Sequence, residues 1–243
     1  MDAHIRCELV PPLVRPHGTG RTSLARAVTA AEHANAAVLA AVSAFRLAHV
    51  FIRRKQAAQA HGLVTGAASA LERAGVQNGP ARLSVLGGLH LAGALAAAAD
   101  FDRAAADRSL SAAKRVADRL GEDRNDHWTA FGPTNVRIHE VSAAVAFGDA
   151  SAAVETGETL DLQRLPAGLG GRRSQVSLDL ARAYAQQRHD AAAVNMLMSA
   201  EQTAPQLVRY DTATHDLLAM LLRREHRAST PQLRSLARRA GVI

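Results

Sequence analysis

The sequence predicts an all-α protein built from helical hairpins that stack on one another. Ala is its most frequent residue, and aromatic residues make up only 3% of the chain. Ala loses no side-chain entropy in a helix, whereas strands favour β-branched and aromatic residues. From residue 22 onward, apolar residues recur with helical spacing between short breaks that carry Pro or Gly. This pattern argues against a β-sandwich or a β-barrel.

The first twenty residues differ from the rest of the chain. They contain Pro11, Pro12 and Pro16 without helical spacing, so we expect 1–20 to form an irregular leader. Residues 21–243 are expected to form one helical repeat domain of about five hairpins, the first of them incomplete. Residues 21–35 have the pattern of a second helix, and its usual partner would fall in the leader.

Four Ala residues, which we call the anchors, mark the repeats. Ala60, Ala106, Ala153 and Ala193 each follow a short turn at the start of a helix, with spacings of 46, 47 and 40 residues. Small residues there let two helices approach closely, and each hairpin leaves apolar surface that the next one covers. The sequence therefore predicts a right-handed solenoid of tetratricopeptide-like hairpins, capped by a last hairpin over 212–242.

The first helix of each hairpin is expected to line the concave groove of this solenoid. Positions 18, 14 and 11 residues before each anchor share one helix face, and three of the four hairpins carry polar side chains there. Such groups can hydrogen-bond to a peptide or a small ligand. The alternative is an exposed, hydrated stripe. The candidate ligand-binding residues are Arg46, His49, Asn135, His139, Gln175, Asp179 and Arg182.

Trp128, the only Trp of the chain, is a further candidate. It lies in a long loop before Pro133, a residue that suits the first turn of a helix. Phe131 is close by, so the loop concentrates aromatic residues in a chain that has few. Two interpretations remain: the loop covers a ligand in the groove, or it anchors itself to the core.

Catalytic and metal sites have little support in the sequence. Cys7 is the only Cys, which excludes a disulfide framework and a Cys-based zinc site. The His residues form no His-Glu-x-x-His motif, and neither a phosphate-binding loop nor a Gly-x-Ser-x-Gly motif occurs. We therefore predict a protein that is not an enzyme and that uses no metal or cofactor.

The net charge of +7 permits contact with nucleic acid or with acidic partners. Part of the excess is gathered near the C-terminus, where a hydrated helix face is the alternative to a binding patch. No long apolar stretch or signal peptide is expected, which predicts a cytoplasmic protein without membrane contact. The C-terminal basic residues are Arg223, Arg224, Arg227, Arg234, Arg238 and Arg239.

One stretch of the chain carries a specific resemblance to a known family. Residues 120–126 (Leu-Gly-Glu-Asp-Arg-Asn-Asp), 128–136 (Trp-Thr-Ala-Phe-Gly-Pro-Thr-Asn-Val) and 138–139 (Ile-His) resemble the C-terminal region of actinobacterial helix-turn-helix transcriptional regulators of the XRE type. Residues 179–186 and 233–242 fit the same family, and the similarity covers 21–243. At the first turn, Lys55 replaces the Gly that is usual in the family.

The resemblance implies a tetratricopeptide-like sensor or oligomerisation region that follows an N-terminal DNA-binding domain. The leader is too short for that domain, so DNA binding is expected only if a helix-turn-helix domain is supplied elsewhere. The first hypothesis is a regulatory module that binds a peptide, a small ligand or a partner protein in the groove and shifts a conformational equilibrium. The second is a structural interaction module, such as a homodimer, or a truncated regulator without a ligand. The third is nucleic-acid binding through the C-terminal Arg residues.

Overall fold

A computed structural model of the chain describes residues 19–33, 36–74, 79–226 and 228–243. Within these ranges every regular element is a helix and none is a strand, which confirms the predicted all-α class. Short 3-10 helices occur in the loops after α5 and α7, at Asp126–Trp128 and Leu162–Arg164. The α-helices of the described ranges are α1 (Thr19–His33), α2 (Ala37–Arg53), α3 (Ala57–Arg73), α4 (Pro80–Ala99), α5 (Arg103–Leu120), α6 (Pro133–Ala146), α7 (Ala150–Glu158), α8 (Gly170–Gln186), α9 (Asp190–Thr203), α10 (Pro205–Tyr210), α11 (Thr212–Arg223) and α12 (Leu233–Arg239).

The helices begin where the sequence places its breaks. Pro80, Pro133 and Pro205 each stand in the first turn of a helix, where the missing N–H has no intrahelical partner to lose. Helix α1 begins at Thr19 and so includes the last two residues of the predicted leader. The rest of that leader, 1–18, lies outside the described residues.

The four turns that precede the anchors share one conformation. In each turn, the N–H of one residue donates to the carbonyl five residues earlier over 2.8–2.9 Å. This is the Schellman arrangement, which ends a helix and satisfies its last carbonyls. The residues with positive φ in these turns, each five positions before its anchor, are Lys55 (59°), Phe101 (58°), Gly148 (79°) and Arg188 (65°).

The anchors lie where the two helices of each hairpin meet. Ala60, Ala106, Ala153 and Ala193 each expose 0% of their surface. The pairs α2–α3, α4–α5, α6–α7 and α8–α9 pack together. One hydrophobic core is built mainly from α2 to α5, a second from α8 to α12, and a smaller cluster around Ile138 lies between them in sequence.

The first helices of the hairpins, α2, α4, α6 and α8, form what we call the central row. Each contacts the next in the row, and α11 contacts α8. The second helices α3, α5 and α7 each pack against the row helix that follows them in the chain. Equivalent positions of successive row helices therefore lie on helices that contact each other.

Helix α4 corrects one expectation from the sequence. It is 20 residues long with a mean hydropathy of 1.4, so by length and composition it passes as a candidate membrane span. The expectation that no apolar stretch approaches such a length was wrong. However, 83% of the stretch is buried, and α4 packs against α2, α3, α5 and α6. Its position as a core helix accounts for its apolar sequence.

Candidate functional site

The polar side chains predicted to face the groove separate into two groups. In the first, which we call the Asp179 cluster, the side chains bond to one another. In the second, the basic cluster, they bond to backbone carbonyls or lack a partner among the described residues. The Asp179 cluster consists of Ser142, Gln175, Asp179, Arg182 and Asp211, and the basic cluster of Arg46, His49, Asn135, His139 and Arg172.

The Asp179 cluster joins α6, α8 and the start of α11. The buried Asp179 carboxylate accepts hydrogen bonds from Gln175 Nε2 at 3.0 Å, Arg182 Nη1 at 2.8 Å and Ser142 Oγ at 2.6 Å. Arg182 also donates to Asp211, the residue that caps α11, over 3.1 Å. Burial raises the pKa of Asp179, and the charge of Arg182 opposes that rise. These groups satisfy one another, so three of the predicted ligand contacts are engaged in holding helices together.

His49 on α2 and His139 on α6 are neutral at neutral pH. Burial is the main cause that lowers the pKa of His49 to about 4 and that of His139 to about 3. The Nδ1 atom of each ring lies 2.8 Å from the carbonyl oxygen one turn earlier, that of Phe45 or Asn135. A carbonyl oxygen only accepts, so the neutral rings carry their proton on Nδ1 and leave Nε2 as an acceptor.

Asn135 stands one turn before His139 on α6 and is 0% exposed. Neither its Oδ1 nor its Nδ2 has a hydrogen-bond partner in the described part of the chain. A buried polar group left in this state costs about 1–3 kcal/mol, and native proteins contain few of them. The Asn135 amide therefore offers both a donor and an acceptor to a molecule bound against α6.

Arg172 belongs to the same cluster, although the sequence analysis missed it. It is the third residue of α8 and stands three positions before Gln175, so it extends the predicted stripe by one helical turn. Burial and the nearby charge of Arg46 lower its pKa. The charge of Arg172 in turn lowers the pKa of both His49 and His139. Extending the register by one turn toward the N-terminus of the helix would have identified it.

Arg46 connects α2 to the loop over 121–132. Its Nη2 atom donates to the backbone oxygens of His127 at 3.0 Å and Trp128 at 2.9 Å. Both acceptor residues have positive φ, 49° and 56°, in the left-handed region that side chains disfavour. The Trp128 side chain is 52% exposed. Trp128 thus meets Arg46 through its backbone, and its ring lies at the surface.

Phe131 is the residue that anchors this loop to the core. It is 0% exposed, and its ring packs so closely on Gly87 of α4 that a Cβ there would lie 1.9 Å from Cζ. The neighbouring Gly88 faces Thr129 of the loop. The loop therefore lies along α4, with Arg46 of α2 bonded to it on one side. The buried Phe131 therefore supports the interpretation that the loop is anchored to the core.

The residues that carry the family resemblance form the hydrogen bonds that hold the conformation of the loop. Arg124 donates from Nε to Asp126 at 2.7 Å and from Nη1 to Glu122 at 2.6 Å. Ser84 of α4 also donates to Asp126, whose pKa these bonds lower. Asn125 Oδ1 accepts from Ala130 N at 3.1 Å, and Asp123 Oδ1 accepts from Thr134 N at the start of α6, at 2.9 Å. The motif thus fixes the entry into the helix that carries Asn135 and His139.

The C-terminal Arg residues are partly neutralised within the protein, and Arg227 lies outside the described residues. Three of these Arg residues form ion pairs with acidic side chains of the protein. The positive charge available to bind a nucleic acid is therefore smaller than the sequence indicates. The pairs are Arg224–Asp190 at 2.6 Å, Arg234–Glu225 at 2.8 Å and Arg239–Glu201 at 2.6 Å.

The basic cluster is therefore the candidate functional site. It brings together four of the eight predicted residues and adds Arg172. In the part of the chain that the structure describes, no three His, Cys, Asp or Glu side chains are placed to hold a metal ion. Comparison with models of protein families, with curated proteins and with solved structures finds no match to this chain.

Proposed function

We propose that this chain is a regulatory module that binds a peptide, a small ligand or a partner protein at the basic cluster of the central row. The observation that carries the proposal is the buried Asn135 amide, with both polar atoms unpaired among the described residues. A side chain that only stabilised the fold would bond within the fold, as Asp179 does. An amide held without a partner is better suited to a bound molecule, whose peptide-like groups can pair with it.

The arrangement of the helices supports a concave binding surface. Four Schellman turns at the predicted spacing favour a repeated hairpin, and we propose that these hairpins form the right-handed, tetratricopeptide-like solenoid expected from the sequence. Arg46 on α2 lies near enough to Arg172 on α8 to lower its pKa, although α4 and α6 lie between these helices in the row. Side chains from the two outer row helices thus converge on one site.

The resemblance to helix-turn-helix regulators gives the proposed module its role. In a cytoplasmic regulator of that type, occupation of the site would favour one arrangement of the row helices over another. An attached or associated DNA-binding domain would respond to that arrangement. The proposal requires a ligand with different affinities for the two arrangements, since equal affinity shifts nothing.

The test compares Asn135→Leu with the unaltered protein in calorimetric titrations against libraries of short peptides and small metabolites. We expect Asn135→Leu to fold with equal or greater stability, because it removes an unpaired buried amide. We also expect it to weaken the binding of any library ligand by about 10-fold to 100-fold, the value of one or two lost hydrogen bonds.

Asn195→Leu is the matched control, because Asn195 is an exposed amide on α9, outside the central row. It should leave binding unchanged. The proposal is contradicted if no library member binds the unaltered protein. It is equally contradicted if Asn135→Leu binds every ligand as tightly as Asn195→Leu does.

A further inference from the structure

Every charged group that shifts the pKa of His49 or His139 is basic. For His49 these groups are Arg172, Arg46 and Arg53. For His139 the charged neighbours are Arg172 and His49 itself, which would add positive charge if protonated. The basic cluster therefore concentrates positive potential in a part of the central row where Arg46, His49 and Arg172 are half-buried. A cation that is partly withdrawn from water gains stability when an opposite charge or several acceptors face it.

The neighbouring Asp179 cluster shows how this fold neutralises a cation elsewhere. There Arg182 pairs with Asp179 at 2.8 Å and with Asp211 at 3.1 Å. Arg172 lies on the same helix, α8, and among the described residues no acidic side chain forms an ion pair with it. Its position in the first turn of α8 adds the partial positive charge of a helix N-terminus.

The unpaired Asn135 amide provides an independent sign that a molecule binds here. It is wholly buried and precedes His139 by one turn on the same face of α6. Helix α6 packs against α8, the helix that carries Arg172, and the charges of Arg172 and His49 lower the pKa of His139. Asn135 and Arg172 are the third residues of α6 and α8, so both stand in the first turns of two helices that pack together.

We propose that the ligand of this site carries an anionic group, a carboxylate or a phosphate, which is bound between Arg46 and Arg172 while Asn135 bonds to polar atoms next to that group. This inference rests on the proposed function and gives the chemical class of its ligand. Guanidinium groups bind both anions through paired, charge-assisted hydrogen bonds. At Arg182 the negative charge comes from Asp179 and Asp211. At Arg172 the bound anion would provide it.

The experiment is a nuclear magnetic resonance titration of the full chain with sodium phosphate and with sodium acetate, at an ionic strength held constant with sodium chloride. We expect saturable shifts of the Asn135 side-chain amide and of the Arg172 Nε–H signal. Tighter binding of phosphate would identify a phosphoryl ligand. Tighter binding of acetate would identify a carboxylate, and a short peptide should then bind as its free acid and not as its C-terminal amide.

Three variants make the titration decisive. Arg172→Gln should weaken anion binding about 10-fold to 100-fold, and Arg172→Lys, which keeps the charge, should retain part of it. Arg209→Gln removes an exposed charge on α10 and should change nothing. Shifts that never saturate, or that are the same in all these proteins, overturn the inference. A library ligand that depends on Asn135 but binds Arg172→Gln unchanged overturns the anion while leaving the proposed function intact.

Discussion

Two imidazole rings, the buried His139 and the half-buried His49, link the site to the stability of the fold. In the unfolded chain His49 and His139 have an ordinary pKa near 6.5, and in the folded protein burial lowers these values to about 4 and about 3. The folded state therefore binds fewer protons than the unfolded state between pH 6.5 and 4. The contribution of the neutral imidazoles to the free energy of unfolding is therefore complete above pH 6.5. It is lost as the pH falls through this window.

We predict that the free energy of unfolding decreases between pH 7 and pH 5 by up to about 1.4 kcal/mol per pH unit for His139. The contribution of His49 is smaller, because its ring is only partly buried and solvent screens its charge. Urea denaturation at several pH values measures this dependence. In His139→Gln the decrease should be about 1–2 kcal/mol smaller over the same range.

His215→Gln is the control for that measurement. His215 lies on α11, away from the central row helices that carry the basic cluster, and its ring bonds to the Arg209 carbonyl at the surface. Its variant should show the same pH dependence as the unaltered protein. If the His139→Gln curve runs parallel to both, burial of neutral His139 does not govern the acid sensitivity.

Sequence reasoning predicted which helices carry these polar side chains, but not which of the side chains bond to one another. Helical spacing placed His49, Asn135 and His139 correctly on the row helices. Whether a polar side chain on such a face is paired depends on residues of other helices, as when Ser142 of α6 bonds to Asp179 of α8. No periodicity within one helix contains that information. Arg172 lies one helical turn beyond the three positions that define the predicted stripe.

At the scale of elements, the repeated turns show a difference between sequence and conformation. Gly is the usual residue at the left-handed position of a Schellman turn. Here only Gly148 follows that rule, while Lys55, Phe101 and Arg188 occupy the same conformation with side chains. The anchors predicted the turns correctly because a small residue is required where helices touch. A search for Gly alone would have found one turn in four.

We predict opposite stability changes at two of these turns. Gly148 has a φ of 79° and open space around it, so Gly148→Ala adds only backbone strain and should destabilise the fold by about 1–2 kcal/mol. Phe101 has a φ of 58° and is 77% exposed, so Phe101→Gly relieves strain and should stabilise by about 1 kcal/mol. Chemical denaturation monitored by circular dichroism measures both.

Phe101→Ala separates the backbone effect from loss of the ring. It removes the aromatic ring but retains a Cβ at positive φ, so its stability should stay near that of the unaltered protein. A gain in Phe101→Ala equal to that in Phe101→Gly would show that the exposed ring, and not the backbone conformation, was unfavourable.

At the scale of the whole molecule, the loop over 121–132 connects the first half of the helical array to the site. It bonds to Arg46 of α2, packs on Gly87 of α4 and leads into α6. The sequence indicated that this loop was unusual, because it holds the only Trp and carries the family resemblance. Which of its aromatic residues is buried could not be read from it, since that depends on the small residues of α4.

We predict that Gly87→Ala disrupts the docking of this loop. The new methyl group would lie 1.9 Å from Phe131 Cζ, so the ring must leave its buried position. Overpacking of this kind should cost about 1–3 kcal/mol and should also weaken ligand binding, because Arg46 loses the backbone oxygens that position it. Thermal denaturation and calorimetric titration measure the two effects.

Gly66→Ala is the matched control for that variant. Gly66 lies in the interior of α3, and a Cβ there meets no atom within 4 Å. Replacing this Gly should stabilise the helix by about 0.5–1 kcal/mol and leave binding unchanged. Equal stability of the two variants would mean that the Phe131 ring moves aside without cost and that the loop is not fixed by it.

The proximity of Arg46 to Arg172 has a consequence for the dimensions of the whole molecule. Two like charges carried by α2 and α8 repel each other across the two helices that separate them in the row. Dissolved salt weakens such repulsion over distances of about 10 Å at 0.1 M ionic strength. The ligand-free molecule should therefore become more compact as salt is added, which small-angle X-ray scattering can detect as a smaller radius of gyration. The dimensions of the ligand-free molecule would then depend on the ionic strength of the solution.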